Sequence, residues 1–274
     1  MSQAPLHLFH IAYNAQTASA VPPGFQLLDN VASARNDWRE YWPIRNFLLT
    51  QPLDDNAWYG FLSPRFAEKV GLGYDQVRSF IDSAPEADLH TFSPQPDMGA
   101  FFLNVFEQEE LFHPGFAAAS EAFFAAIGQP LKVLDLLMDS RHIIFSNYFI
   151  ARPAFWRTWL ALTEQLFAIC EGADSPVRAG LVHETAYPGA VQRKVFLMER
   201  LVSVLLLQQP QWKVHAWNTF ACAWSASRLN EFKVEAVLSD ALKIAMREQG
   251  FADYRSAFAL LRDRLRQPDI KPLA

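Results

Sequence analysis

Apolar residues arrive in this chain in short runs punctuated by Pro, Gly and polar residues, and the runs alternate between two periodicities. Residues 6–13 (LHLFHIAY), 57–63 (AWYGFLS), 87–92 (ADLHTF), 146–150 (SNYFI) and 212–220 have the length and composition of strands. Residues 36–50, 98–110, 114–127, 152–171, 191–207, 231–249 and 253–267 instead carry the spacing of one-sided helices. The clearest is 152–171, where Phe155, Trp159, Leu162, Leu166 and Ile169 make one stripe. Pro43 inside 36–50 predicts a kink, or a second helix beginning there. Residues 64–70 and 74–82 read as short helices, 131–139 as either helix or strand, and 14–20, 51–56 and 174–190 as loops. Short strands interleaved with longer helices predict an α/β fold with more helix than strand.

A chain of 274 residues can bury one large core, and 51% hydrophobic with 19% charged residues excludes disorder. The 23 Phe and 8 Trp supply that core, and they are also rings on which a sugar or a base can stack. A net charge of -5 argues against a general nucleic-acid binder. The two cysteines, Cys170 and Cys222, sit among apolar neighbours and outside any metal-ligand spacing, so they read as buried thiols in a reducing compartment. The first ten residues lack the basic start and apolar run of a signal peptide, and no apolar stretch is long enough to span a bilayer. The expected location is cytoplasmic, open to peripheral contact with the inner face of a membrane.

No G-x-G-x-x-G, P-loop, G-x-S-x-G, H-E-x-x-H or EF-hand pattern occurs, and no organic cofactor is expected. The remaining chemistry lies in small constellations. The first strand runs into a polar loop at Tyr13 and Asn14, where many α/β domains hold their ligand; an ordinary edge strand would look the same. Asp88 and His90 are spaced i, i+2, so in a strand both point to one side and can converge on a metal ion or a hydroxyl; the alternative is a capping Asp and a surface His. Asp139-Ser140-Arg141-His142 is dense in polar groups, and Arg141 presents a fork suited to phosphate; the alternative is a solvated turn. Glu109 or Glu110 shares a helix face with His113, as a base with its orienter or as an acidic helix end. Glu199 and Arg200 lie in an otherwise apolar helix, so each must be paired or must face a site. Trp38, Tyr41 and Trp42 make either a sugar-stacking wall or a core stripe.

The order of these segments resembles a known family. Residues 39–66 (REYWPIRNFLLTQPLDDNAWYGFLSPRF) are similar to a segment of bacterial surface-polysaccharide glycosyltransferases of the galactofuranosyltransferase-like kind. There an "ELTAIYWIWKN"-type helix precedes a "YIGLCHYRRYF"-type strand and turn. Glu40, Tyr41, Trp42, Ile44 and Asn46 match the helix, and Tyr59, Gly60, Arg65 and Phe66 match the strand and turn. Asp88 falls where the family has a "YDIIxP" strand, and Gln108 and His113 fall near an "EQYxxxH" stretch. Residues 146–159 (SNYFIARPAFWRTW) resemble "NMFIMKKxxFDxYxxW", and 198–201 (MERL) resemble an "ERLLxIWL" helix.

The resemblance implies a GT-A-like nucleotide-binding sheet flanked by helices over residues 1–225, with a helical C-terminal extension over 226–274 packed on it. It implies transfer of a sugar from a nucleotide-sugar donor to a glycan or lipid-linked glycan acceptor in surface-polysaccharide assembly. The alternative is a non-catalytic protein of the same fold that binds a glycan or a protein partner, and a homo-oligomer is compatible with either. Ser63-Pro64-Arg65 stands where the family has a double-Arg turn, and no DxD metal motif is present. Arg65 and Arg141 then become the candidates for stabilising the leaving diphosphate, beside Tyr13, Asn14 and Asn147 on the donor. Asp88, His90 and Glu199 are the candidates for deprotonating the acceptor, with Trp42 and His113 on the acceptor side. If Mn2+ or Mg2+ takes part, Asp88 and Asp139 are its candidate ligands.

Overall fold

The computed structural model describes residues 3–267 and 269–273, so residues 1, 2, 268 and 274 of the two expected segments lie outside the described residues. The chain opens with β1 (Leu6–Ala12), α1 (Ala15–Ser19) and β2 (Gln26–Asp29). A short 3-10 turn, Asn36–Trp38, leads to α2 (Tyr41–Thr50), β3 (Trp58–Leu62), α3 (Phe66–Val70) and α4 (Tyr74–Asp82). Then follow β4 (Leu89–Thr91), α5 (Pro96–Ala100), α6 (Val105–Phe112) and α7 (Phe116–Ala126). The second half contains β5 (Phe149–Ala151), α8 (Pro153–Glu171), α9 (Pro176–Leu181), α10 (Arg193–Gln208) and β6 (Val214–Ala216). It closes with α11 (Lys233–Gln249) and α12 (Ala252–Leu265).

The strands form one sheet in the order β2-β1-β3-β5-β4-β6. β1 is parallel to β2 and β3, β4 is parallel to β6, and β5 is antiparallel to both β3 and β4. Five strands therefore point one way and β5 alone runs back between them. The tight seam between β3 and β5 needs Gly60, since a Cβ there would stand 2.7 Å from Ile150 Cγ1 and 3.1 Å from Leu8 Cδ2. The fold is α/β, with helices flanking a mixed six-stranded sheet.

The core lies on both faces of the sheet. One layer joins Phe9, Phe61 and Phe149 to the apolar faces of α2, α6, α7, α8 and α10, and Phe149 stacks on Trp156 with ring centroids 4.4 Å apart. The other packs Leu8, Trp58, Tyr148 and Ile150 against Phe66, Val77 and Ile81 of α3 and α4. A third group joins Phe101 and Phe102 to Phe232, just before α11, and to Ala236 within it, so the C-terminal helices rest on the segment after β4. Lys243 of α11 is wholly buried there and donates to the carbonyls of Gly99 (2.9 Å) and Phe102 (3.1 Å).

Several segments differ from the sequence expectation, among them residues 14–20, which hold helix α1 where a loop was expected, and 131–139, of which only Val133–Asp135 is ordered into a 3-10 turn. Residues 36–50 break at Arg39 (φ +48°), and α2 begins at Tyr41, which puts Pro43 in the first turn where its missing N–H is harmless. Residues 98–110 divide because the Asn104 side chain accepts from the Phe106 and Glu107 amides and starts α6 afresh. The expected strand 146–150 begins only at Phe149, since Ser146 and Asn147 are left-handed (φ +62° and +51°). Ser175 caps α9 inside the expected loop.

Candidate functional site

The sheet polarity fixes where a ligand can meet several strand ends together. The carboxyl ends of β1 and β3 open onto Tyr13 and Ser63. Because β5 is reversed, the residues before it, Ser146-Asn147-Tyr148, reach that same edge. Buried and half-buried polar side chains meet there. Tyr13 donates its hydroxyl to Glu40 at 2.6 Å, and the Ser63 and Tyr148 hydroxyls lie 2.5 Å apart. Lys69 of α3 donates to Ser146 Oγ at 3.0 Å and sits over the Tyr148 ring, 5.6 Å from its centroid. Glu199 of α10 completes the cluster: its charge is felt by Tyr13, Tyr148 and Lys69.

Glu199 is the exceptional member. Among the described residues no group hydrogen-bonds its carboxylate, and the side chain is half-buried. Burial, reinforced by the negative charges of Glu40 and Glu109 and opposed by Arg200 and Lys69, pushes its pKa up to about 7. Burial also raises Tyr13 and Tyr148 above the usual phenol range, so both remain hydroxyl donors, and it holds Lys69 below the usual lysine range. Backbone strain gathers around the same place. Of five non-glycine residues with positive φ among the described residues, Ser146 and Asn147 line the cluster and Arg39 adjoins Glu40. Ala190 (φ +51°) belongs to a loop that meets Arg39, since a Cβ on neighbouring Gly189 would stand 3.4 Å from the Arg39 guanidinium. Such conformations persist where the surroundings impose them, often at ligand sites.

Behind Glu199 lies a buried ionic layer. Arg200 donates to Glu109, to Gln108 at 3.1 Å and to the Val105 carbonyl at 3.1 Å. Glu109 is also 2.5 Å from His113 Nδ1, and the His113 ring packs against Phe196. The i, i+4 spacing is thus realised as a Glu109–His113 contact, while the neighbours Glu199 and Arg200 divide: one is paired inward and the other is left unpartnered.

The structure brings Tyr13, Asn147 and Glu199 to this edge. Asn14 stands beside it, accepting from the Thr17 amide at 2.9 Å as the cap of α1. Arg65 is at the mouth but mostly exposed and held by Glu68 at 2.6 Å. The other expected site residues lie elsewhere. Asp88 precedes β4, at the opposite edge of the sheet, and accepts from the Lys213 amide at 2.8 Å. His90 is fully buried in β4 beside Trp58 and Phe80, its Nδ1 3.2 Å from that of His215, and burial pushes its pKa down to about 3. It is a neutral core histidine. Burial pushes the Asp139 carboxyl up, but Arg141 (3.1 Å), His142 (3.0 Å) and the Arg141 amide (2.8 Å) together outweigh it and hold the group well below the usual range. Arg141 spans Asp139 and Glu248, away from the cluster. Trp42 packs on Phe167 between Arg35 and Arg45, so it is part of a structural stack.

Asp88 and Asp139 therefore share no site, and among the described residues no three His, Cys, Asp or Glu side chains converge to hold a metal ion. The two candidate ligands for Mn2+ or Mg2+ are thus not brought together.

Glu40, Ser63, Lys69 and Tyr148 enter the site without having been singled out for chemistry in the sequence. Lys69 looks like the solvent-facing residue of a short helix, and Tyr148 like one more apolar residue of a strand. Glu40 and Ser63 had a signal only through residues 39–66, the segment that resembles the glycosyltransferases. Comparison of the chain with protein-family models, with curated proteins and with solved structures found no match in any of the three.

Proposed function

We propose that this protein is a glycosyltransferase of GT-A-like fold, which moves a sugar from a nucleotide-sugar to a glycan acceptor in surface-polysaccharide assembly. The observation that carries the reading is Glu199: an unpartnered carboxylate with a pKa of about 7, at the carboxyl edge of the parallel strands. A group of that pKa is well matched to take a proton from an acceptor hydroxyl near neutral pH. Ligands of open α/β sheets bind at this edge. Tyr13 and Tyr148 supply neutral donors for sugar hydroxyls or phosphate oxygens, and Lys69 and Arg65 supply positive charge where a diphosphate would leave.

In this reading Glu199 accepts the hydroxyl proton as the acceptor oxygen bonds to the anomeric carbon. The bond from that carbon to the diphosphate oxygen breaks, and the nucleotide carries the electron pair away. The test is a thermal-shift screen against UDP, GDP, dTDP, CMP and their common sugars, with and without Mn2+. A specific nucleotide should raise the melting temperature by mass action. No shift with any of them would contradict the proposal and favour a non-catalytic relative that binds a glycan or a protein partner.

A further inference from the structure

Lys69 is a half-buried cation with no counterion. Among the described residues no carboxylate lies within ion-pair distance of its Nζ. Its one side-chain partner is the neutral Ser146 hydroxyl at 3.0 Å, and the Tyr148 ring lies beneath it. The other cations of the chain's interior are treated differently. Lys194 is paired with Asp37 at 2.6 Å, Arg200 with Glu109, and Lys243 with two carbonyls. A desolvated ammonium left in this state gains from an added anion more than a solvated one does, because little water need be stripped from it.

A second observation points to the same place. Asn147 is 8% exposed, yet its Oδ1 is buried with no partner, and its backbone is held at φ +51° next to Ser146 at φ +62°. Two successive left-handed residues, the first of them the partner of Lys69, cost strain that a glycine pair would avoid. Next in the chain to the serine that receives Lys69 there is thus a carboxamide whose buried oxygen has no hydrogen-bond partner. A carboxamide turned about its end can offer its N–H groups to an anion, since oxygen and nitrogen exchange places by a flip.

We propose that Lys69, Ser146 and Asn147 form an anion subsite that takes a diphosphate directly, through an ammonium rather than through a metal ion. The inference deepens the donor-site reading given above, and it rests on that reading only for the diphosphate's being part of a nucleotide. The charged groups acting on Lys69 are Glu199 of α10, Glu40 before α2, and Arg65 and Glu68 at its own helix. Arg65 adds a second cation at the exposed side.

The experiment is a calorimetric titration of the whole chain with inorganic pyrophosphate, then with orthophosphate and with UDP, GDP and dTDP, all in EDTA. Three variants accompany the wild type. Lys69→Met keeps the length of the side chain and removes the charge. Asn147→Gly removes the carboxamide while relieving the positive φ, so it should fold at least as well. Arg141→Ala is the control, as its guanidinium is engaged elsewhere. The wild type and R141A should bind pyrophosphate alike, and K69M should weaken binding by about tenfold or more, the scale of a lost charged hydrogen bond. N147G should weaken it with no loss of melting temperature. The inference is overturned if the wild type does not bind pyrophosphate without metal, or if K69M and N147G bind as the wild type does. Pyrophosphate binding that depends on Lys69, with no tighter binding of any nucleotide, would keep the subsite and sink the donor reading. Nucleotide binding indifferent to Lys69 would do the reverse.

Discussion

At the residue scale the structure turns on the contrast between Glu199 and Arg200, neighbours on one helix with opposite fates. A carboxylate that burial raises to about 7 destabilises the fold whenever it is charged. The unfolded chain releases that proton near 4.5, the ordinary value, while the folded chain holds it to about 7. Folding therefore takes up a proton between these values, and stability falls as pH rises through that window. Glu199→Gln removes the fall. At pH 8 it should be more stable than the wild type by about 1–3 kcal/mol in urea unfolding, and at pH 4 the two should be nearly equal. A residue whose replacement stabilises the fold is one that stability did not select. The sequence showed that Glu199 and Arg200 had to be paired or turned to a site. It did not show which did which, because that depends on α6, some ninety residues earlier, presenting Glu109 and Gln108 to the guanidinium.

At the scale of elements, that contact joins α10 to α6 beside the apolar core the two helices share. Breaking a buried ion pair leaves one charge uncompensated, which costs more than the pair itself contributes. Arg200→Met should lower stability by about 3 kcal/mol in urea unfolding, and adding Glu109→Gln in the same chain should restore part of it. Additive losses would contradict this account of the pair. Most helices were legible because their apolar stripes are long, as in α8. The edge strand β2 and helix α1 were not: both are short and largely exposed, and α1 depends on the Asn14–Thr17 capping box. Ser146 and Asn147 read as strand from their neighbours Tyr148, Phe149 and Ile150. Their left-handed backbone is masked by those neighbours, although Asn147 is of a residue type that adopts it more readily than most. Asp88 and His90 share the i, i+2 spacing that suggested a site, but spacing does not say which edge of the sheet a strand end occupies. Asp88 precedes β4, which runs in the same direction as β1 and β3, and so lies at the amino edge.

At the scale of the whole molecule, the C-terminal helices are tied to the sheet-bearing part through a lysine that is costly to bury. Burial pushes Lys243 down to about 8 from 10.5. Here the sign is opposite to that of Glu199. The unfolded lysine keeps its proton to higher pH than the folded one, so the wild type should gain stability as pH rises from 8 to 10.5. The gain should approach about 3 kcal/mol in urea unfolding, and it should be missing from the corresponding pH series of Lys243→Met. Glu199 and Lys243 thus bracket neutrality, and the fold carries both penalties in the range where the proposed chemistry would run. The α/β class and the order of the long helices were open to reading in the sequence, whereas the cluster required the sheet's polarity. The most direct measurement is release of nucleoside diphosphate from the nucleotide-sugar that stabilises the chain, in the presence of a glycan acceptor, for wild type and Glu199→Gln. The account predicts that E199Q still binds the donor and releases nucleotide at least about a hundredfold more slowly, the scale of a lost general base. Equal rates in the two proteins would contradict it.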